Sequence, residues 1–163
     1  MTNMKGQRTR AKNSFDSLEQ EIFLNLWRTY DRLKGLEDQL FSRFDLTPQQ
    51  YNVLRLLELH QPEGMPTLRL ASQLVSRAPD ITRMLDKLDE RGLIERHRPD
   101  DNRRVVTVRI KDKGKRLLEE IAEPLAQCHS EQLGHMSDAH LKSLGNLLRA
   151  ARAPHEPEES YWK

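Results

Sequence analysis

The chain has 163 residues, of which 36% are hydrophobic, and a formal net charge of +2. This length suffices for one domain with a core, while the low apolar fraction is typical of long helices that are exposed or covered by a partner. The sequence lacks a membrane-length apolar stretch and a secretory signal, and its single cysteine, Cys128, excludes an intrachain disulfide, so we expect a cytoplasmic protein.

Charge is unevenly distributed along the chain. Residues 1–13 carry four cations and no anion, and residues 67–116 carry 14 Lys and Arg against 8 Asp and Glu, a net of +6. The remaining segments therefore carry a net charge of −8. A basic middle between acidic arms indicates a surface that binds a polyanion. We expect residues 1–13 to form a basic flexible segment.

Residues 14–44 are predicted to form one long amphipathic helix. Apolar residues recur at the three-and-four spacing of one helical face, and Ser14 or Asp16 is placed to cap the first turn. Thirty-one residues in a helix extend about 46 Å, which is more than a small domain covers alone. The pattern therefore indicates that a partner covers part of this helix.

Two shorter helices are predicted next. Thr47 is a favourable N-cap and Pro48 suits the first helical position, so a helix is expected from there to about Leu59. Thr67 is predicted to cap a short helix over residues 68–75.

A turn around Ser76 leads into a further predicted helix, which has Pro79 in its first turn and Gly92 as its C-terminal cap residue. Two strands follow, at about residues 93–98 and 105–110. Helix, turn, helix and hairpin in this order indicate a winged helix-turn-helix, whose second helix lies in the DNA major groove.

The C-terminal part is predicted to be helical. One helix is expected over residues 112–133 and another after Ser137, which is a good N-cap. Residues 154–163 are expected to form a flexible tail.

From Leu46 to Gly114 the sequence resembles the MarR family (multiple antibiotic resistance regulators) of bacterial transcription factors. The matching segments are LTPQQYNVLRLL, ASQLVSRAPDITRMLDKLDERGLIER and DDNRRVVTVRIKDKG. The flanking helices are similar to the dimerisation arms of the family, which extends the likeness to about residues 15–150. The sequence departs from the family pattern at Asn102, where an aspartate is usual, and at Lys111, where a threonine is usual. Asp112 is therefore the expected cap of the next helix.

The resemblance implies a mainly α fold with a small β-hairpin wing. A winged helix-turn-helix lobe at 45–111 would lie between an N-terminal dimerisation helix at 14–44 and C-terminal dimerisation helices at 112–153. The residues it places in the homodimer interface are Phe15, Leu18, Ile22, Leu144 and Leu148.

The predicted DNA contacts form three groups. The recognition-helix group contains Ser76, Arg77, Pro79, Asp80, Thr82 and Arg83. The group expected at the DNA backbone contains Thr67, Arg69 and Ser72, and the wing group contains Arg98, Asn102, Arg103 and Arg104. Arginine forms bidentate pairs with guanine, and an arginine pair at a wing tip suits the narrow minor groove. Two simpler interpretations are that Asp80 only caps its helix and that the wing arginines are only solvated.

The resemblance also implies a pocket for a small acid, aromatic or phenolic in nature, between the dimer arms and the DNA-binding lobe. The residues expected to line it are Trp27, Tyr30, Tyr51 and Arg55. The alternative is that the aromatic side chains of the first helix serve only the core and the dimer interface.

Enzymatic, metal and redox functions find no support in the sequence. It has no phosphate-binding glycine loop and no nucleophile elbow. Cys128 has no basic neighbour that would favour a thiolate, and His129, His135 and His140 lack the spacing of a zinc site. We therefore expect no enzyme activity, no metal and no cofactor.

Taken with the resemblance, these patterns predict a homodimeric, sequence-specific DNA-binding transcriptional regulator. Its partners would be an inverted-repeat operator in double-stranded DNA, a second copy of the chain and a small-molecule effector. Repression relieved by the effector is the expected mode, and activation remains an alternative. A second alternative is a winged-helix protein–protein interaction module that does not bind specific DNA.

Overall fold

The computed structural model describes residues 15–76, 80–98 and 105–163. The chain divides into two compact units, residues 1–34 and residues 35–163, with the division inside the first helix. The helices in the described residues are α1 (Leu18–Ser42), α2 (Pro48–Leu59), α3 (Thr67–Gln73), α4 (Ile81–Glu90), α5 (Asp112–Leu133) and α6 (Asp138–Arg152), followed by a 3-10 turn (Ala153–His155). The strands are β1 (Met65–Pro66), β2 (Ile94–His97) and β3 (Thr107–Ile110). The predicted fold class, mainly α with a small β wing, is confirmed.

Helix α1 begins later than the sequence predicts. Ser17 Oγ accepts a hydrogen bond from the Gln20 backbone N–H at 3.2 Å, so Ser17 caps the first turn. Asp16, one of the two predicted caps, instead bonds to the Gln20 side chain. The Asp16 backbone N–H donates to Gln20 Oε1 at 2.6 Å, and Asp16 Oδ2 accepts from Gln20 Nε2 at 3.1 Å. Ser14 lies outside the described residues.

Helix α2 follows its prediction. Thr47 Oγ1 accepts from the Gln50 backbone N–H at 3.2 Å, and Gln50 Oε1 accepts from the Thr47 N–H at 2.9 Å, which completes a capping box. The buried side chains of α2 are Gln50, Asn52, Val53, Leu54, Leu56 and Leu57. Helix α2 therefore forms the centre of the core of the second unit.

The sheet has a third strand, β1, which the sequence pattern does not predict. Strand β1 pairs antiparallel with β3, so the strand order is β1-β3-β2. Thr67 does not cap α3, because its N–H and its hydroxyl both donate to the Val106 carbonyl, at 3.1 and 3.2 Å. Pro66 occupies the N-cap position and α3 ends at Gln73. A two-residue strand is too short to show alternation in the sequence.

The hairpin and the turn before it agree with the prediction. Strands β2 and β3 pair antiparallel, from Ile94 opposite Ile110 to His97 opposite Thr107. Gly92 has a φ of +69°, and the Leu93 N–H donates to the Leu88 carbonyl at 3.0 Å, which closes a glycine-terminated helix end.

Of the two N-caps predicted for the last two helices, the one for α5 is wrong and the one for α6 is confirmed. Lys111, not Asp112, occupies the N-cap position of α5, and it makes no side-chain capping bond. Asp112 instead pairs with Lys115 at 3.1 Å. Ser137 caps α6 as predicted, because its hydroxyl accepts from the His140 N–H at 3.3 Å. None of the helices in the described part of the chain is long and apolar enough to cross a bilayer.

The C-terminal tail, predicted to be flexible, makes specific hydrogen bonds to other parts of the second unit. Trp162 Nε1 donates to the Leu74 carbonyl at 3.2 Å, and the Trp162 carbonyl accepts from Arg152 Nη2 at 3.0 Å. The prediction of a loose tail is therefore wrong for these residues. Leu74 follows the last residue of α3, where carbonyls lack a partner within the helix, and the indole N–H supplies one.

Replacing Gly114 by alanine tests how closely α5 packs on the sheet. A Cβ at this position would clash with the Leu93 carbonyl oxygen and would lie 2.8 Å from Ile110 Cγ1. We expect Gly114→Ala to lower the free energy of unfolding by about 1–3 kcal/mol, as overpacking does. Equilibrium urea unfolding at fixed protein concentration measures this.

Gly35→Ala is the matched control, since Gly35 also lies in a helix but a Cβ added there would have no atom within 4 Å. We expect this variant to gain up to about 1 kcal/mol from helix propensity. Equal effects of the two substitutions would contradict the packing argument.

Candidate nucleic-acid interface

Helix α4 is the predicted recognition helix, and Asp80 caps it. Asp80 Oδ1 accepts from the Arg83 backbone N–H at 3.1 Å. Leu85 and Leu88 are buried on one face of α4, while Thr82 and Arg83 are exposed on its first turn. An exposed threonine and arginine near a helix N-terminus are available to base edges and phosphates. The predicted contacts Arg77 and Pro79 lie outside the described residues.

Helix α3 and the turn after it hold the other predicted major-groove and backbone residues. Arg69 and Ser72 are exposed on α3, and the Ser72 hydroxyl donates to the Arg69 carbonyl at 2.8 Å. Ser76 is exposed, and its hydroxyl accepts from Gln49 Nε2 at 2.8 Å. The Thr67 hydroxyl donates to the Val106 carbonyl at 3.2 Å, and its contact with the DNA backbone stays a prediction.

The base of the wing is held against α4 by Arg96, which the sequence analysis did not single out. Arg96 Nη2 donates to Asp86 Oδ1 at 2.6 Å and to the Thr82 carbonyl at 3.3 Å. Charge-assisted bonds of this length are strong and directional. An arginine in a predicted strand is indistinguishable in sequence from a solvated charge, so no sequence signal identified this contact.

An open groove of about 430 Å³ brings α3, α4 and the base of the wing together. Among its lining residues are Thr67, Thr82 and Arg98, one from each of the three predicted groups of DNA contacts. Arg98 is exposed. The wing residues Asn102, Arg103 and Arg104 lie outside the described residues.

Comparisons with known proteins establish the family of the chain. The sequence model of the MarR family matches residues 46–106. The crystal structure of a MarR transcription factor from Planctomyces limnophilus is 52% identical, covers 84% of this chain and 99% of its own, and gives a TM-score of 0.67. The chain belongs to the MarR family. It is a DNA-binding transcriptional regulator, and members of this family are transcription factors and not enzymes.

Two further relatives of this MarR-family chain are more distant. The transcriptional repressor MprA of Escherichia coli is 26% identical over 86% of this chain and 81% of its own length. The crystal structure of CouR from Rhodococcus jostii, bound to p-coumaroyl-CoA, is 23% identical with a TM-score of 0.71 and covers 88% of this chain and 100% of its own. At 23% identity, the likeness to CouR shows a shared fold.

The predicted ligand-pocket residues have different environments. Trp27 and Tyr30 are exposed on α1 in the first unit. In the second unit, Tyr51 packs against Phe41 with ring centroids 4.8 Å apart, and burial raises the pKa of its phenol. Arg55 Nη2 donates to Asn52 Oδ1 at 3.2 Å. Tyr51 is therefore partly a core residue, and the pocket stays a prediction.

Cys128 has the environment of a structural thiol. Its side chain is buried, and burial together with the carboxylates of Glu37 and Glu131 raises the pKa of the thiol. His129 Nε2 lies 3.5 Å from Glu37 Oε1. Among the described residues, no group of three His, Cys, Asp or Glu side chains is placed to hold a metal ion.

A thiol with a raised pKa is mostly protonated near neutral pH, and the thiolate is the nucleophile. We therefore expect Cys128 in the folded protein to react with iodoacetamide at pH 8 at least about tenfold more slowly than in the chain unfolded in urea. Mass spectrometry of the labelled protein measures both rates.

Cys128→Ser/Ser130→Cys is the control, because it moves the thiol two residues along α5 to an exposed position. Its folded and unfolded rates should be similar. Fast labelling of Cys128 in the folded wild-type protein would contradict the structural assignment.

Two substitutions at Asp80 separate capping from charge. Asp80→Ala removes the bond to the Arg83 N–H, and we expect it to cost about 1 kcal/mol of unfolding free energy. Asp80→Asn keeps a capping oxygen, so its stability should match the wild type, as urea unfolding will measure.

Asp80→Asn also removes a negative charge beside the predicted DNA surface. We expect its affinity for a random duplex at low salt to exceed that of the wild type, because repulsion from phosphates is lost. Equal stability of the alanine and asparagine variants would contradict the capping role.

Proposed function

We propose that this protein is a homodimeric repressor in the cytoplasm that binds an inverted repeat near a promoter and is released by a small aromatic or phenolic ligand. The observation that carries the proposal is the apolar face of α1. Leu18, Ile22 and Leu26 follow one another at four-residue spacing on this face, and they are 69%, 52% and 39% exposed in the single chain. Large contiguous apolar surfaces on a protein in water mark interaction sites.

The second unit has a comparable surface on α6. No residue of α6 is buried, and Leu147 is 65% exposed. Among the predicted interface residues, Leu148 is exposed while Phe15 and Leu144 are half-buried. A second copy of the chain supplies a matching apolar surface through two-fold symmetry, which is the commonest arrangement of soluble oligomers.

Two-fold symmetry also defines the DNA target. A dimer presents two α4 helices, so its operator has two inverted half-sites about one helical turn, roughly 34–36 Å, apart. In the proposed complex, Thr82 and Arg83 enter the major groove, and Arg103 and Arg104 of the wing reach the adjacent minor groove. Arg69 and Ser72 contact phosphates and set the register.

Release from DNA follows if a ligand prefers a dimer whose α4 helices are spaced differently. Moving the population from mostly bound to mostly free requires that the ligand bind the two dimer states with affinities that differ by several kcal/mol. A shift from 1:99 to 99:1 requires about 5.5 kcal/mol. Two relatives support this proposal: MprA is a repressor, and CouR was crystallised with p-coumaroyl-CoA bound. A screen of phenolic acids and their coenzyme A thioesters for loss of operator binding tests it.

Salt titration of DNA binding tests the role of the wing. The probes are the duplex upstream of the protein's own gene and a scrambled duplex, with wild type and Arg103→Ala/Arg104→Ala compared. Each lost phosphate contact lowers the slope of log affinity against log salt by about one, so we expect a shallower slope in the double variant.

The control variant is Lys142→Ala/Arg149→Ala, which removes two exposed cations of α6 that are not among the predicted DNA contacts. Its salt slope should equal that of the wild type. Sedimentation should show a dimer for the wild type and for both double variants. Weak, equal binding of both duplexes by all three proteins would contradict the proposal and favour a protein–protein interaction module.

A further inference from the structure

Arg91 joins the end of α4 to the corner between α1 and α2. Its Nη2 donates to the Phe44 carbonyl at 3.1 Å, and its Nη1 donates to the carbonyl of Asp45. Both carbonyls follow the C-terminus of α1, where backbone oxygens lack partners within the helix and a positive charge is favourable. The planar guanidinium meets two adjacent acceptors at once, which fixes direction as well as distance.

The backbone of Arg91 makes a second connection. Its carbonyl accepts from Lys113 Nζ at 2.8 Å, and Lys113 lies in the first turn of α5. One residue at the C-terminal end of α4 therefore bonds to the turn that follows α1 and to the first turn of α5. In the proposed dimer these two helices lead to the interface between subunits.

We propose that Arg91 is a positioning residue for DNA recognition, which holds α4 at a fixed angle to the helices that form the dimer. The inference rests on the proposed function and names a residue that transmits changes at the dimer interface to α4. Helix α4 has 10 residues. It is therefore about 15 Å long, and a tilt of about 5° about Arg91 displaces its N-terminus by roughly 1 Å. Hydrogen bonds to base edges tolerate less than that.

The core supports α4 independently of Arg91. Leu85 and Leu88 are 1% and 0% exposed, while the Arg91 side chain is half-buried. The hydrophobic contacts of the two leucines hold the helix in the fold, and the guanidinium bonds set its orientation at one end. A substitution at Arg91 should therefore alter specific binding more than stability.

Arg91→Lys is the decisive variant, because it keeps the positive charge but replaces the planar fork with a single ammonium group. The DNA probes are a duplex enriched by the wild-type protein from a random library and a scrambled duplex of equal length. We expect operator affinity to fall by about 2- to 30-fold, the range for residues that couple two sites without touching a ligand. Affinity for the scrambled duplex, the salt slope and the dimer by sedimentation should stay at wild-type values.

Arg109→Lys is the matched control. Arg109 Nε also donates to a backbone carbonyl, that of Glu63 at 3.2 Å, but this bond joins β3 to the loop before β1 and does not involve α4. Its ratio of operator to scrambled affinity should equal that of the wild type. Lys113→Met removes the second connection at Arg91 and should lower the ratio in the same direction as Arg91→Lys.

Several outcomes would overturn the inference. One is an unchanged affinity ratio in Arg91→Lys, and another is an equal loss on both duplexes, which would indicate a structural role only. If Arg91→Lys fails to fold, Lys113→Met decides, and a wild-type ratio in that variant would reject the inference. Failure of the wild-type protein to enrich any sequence would instead refute the proposed function, and the inference with it.

Discussion

Burial of α2 is the constraint on which the DNA-binding lobe depends. Four residues from adjacent turns, Val53, Leu54, Leu56 and Leu57, are fully buried, so α2 has protein on most of its circumference. Burying an aliphatic side chain of this size contributes about 1.5–3 kcal/mol relative to exposure. The sheet, α4 and α5 gain their apolar contacts in the same core, which includes Leu88, Ile94 and Ile121.

This arrangement explains how small, mostly polar helices keep a defined orientation. Helix α4 buries only one face and leaves Thr82 and Arg83 exposed. Helix α3 likewise buries Leu70 and exposes Arg69. The apolar face of each helix fixes its rotation about its axis, and that rotation determines which polar residues are available to DNA.

Among the described residues, cations of the lobe and of the first turn of α5 have two kinds of environment. Arg91, Arg96 and Lys113 bond to carbonyls or carboxylates of the protein and hold elements together. Arg69 and Arg83 are exposed and are available to approach phosphates. The net charge of the segment indicates a polyanion-binding surface, but the assignment of each cation depends on which protein acceptors lie near it. The same residue type thus makes the structural bonds and provides the exposed cations for the proposed DNA contacts.

Features that depend on neighbouring residues were predictable from the amino-acid sequence. The caps at Thr47 and Ser137 are bonds between residues three apart, and the turn at Gly92 follows from the conformational freedom of glycine. The family and the order of helix, turn, helix and hairpin were likewise evident from local patterns and motif spacing.

Contacts between residues distant in the chain were not predictable in this way, because they depend on how the elements pack. Thr67 does not cap α3 as predicted but donates to a carbonyl 39 residues away. Arg91 donates to a carbonyl 47 residues away, and Trp162 donates to one 88 residues away. A hydroxyl, guanidinium or indole has several possible partners, and local sequence does not specify which of them folding brings near. Local bonds are fixed by the backbone geometry of one element, whereas long-range bonds require that several elements first pack together.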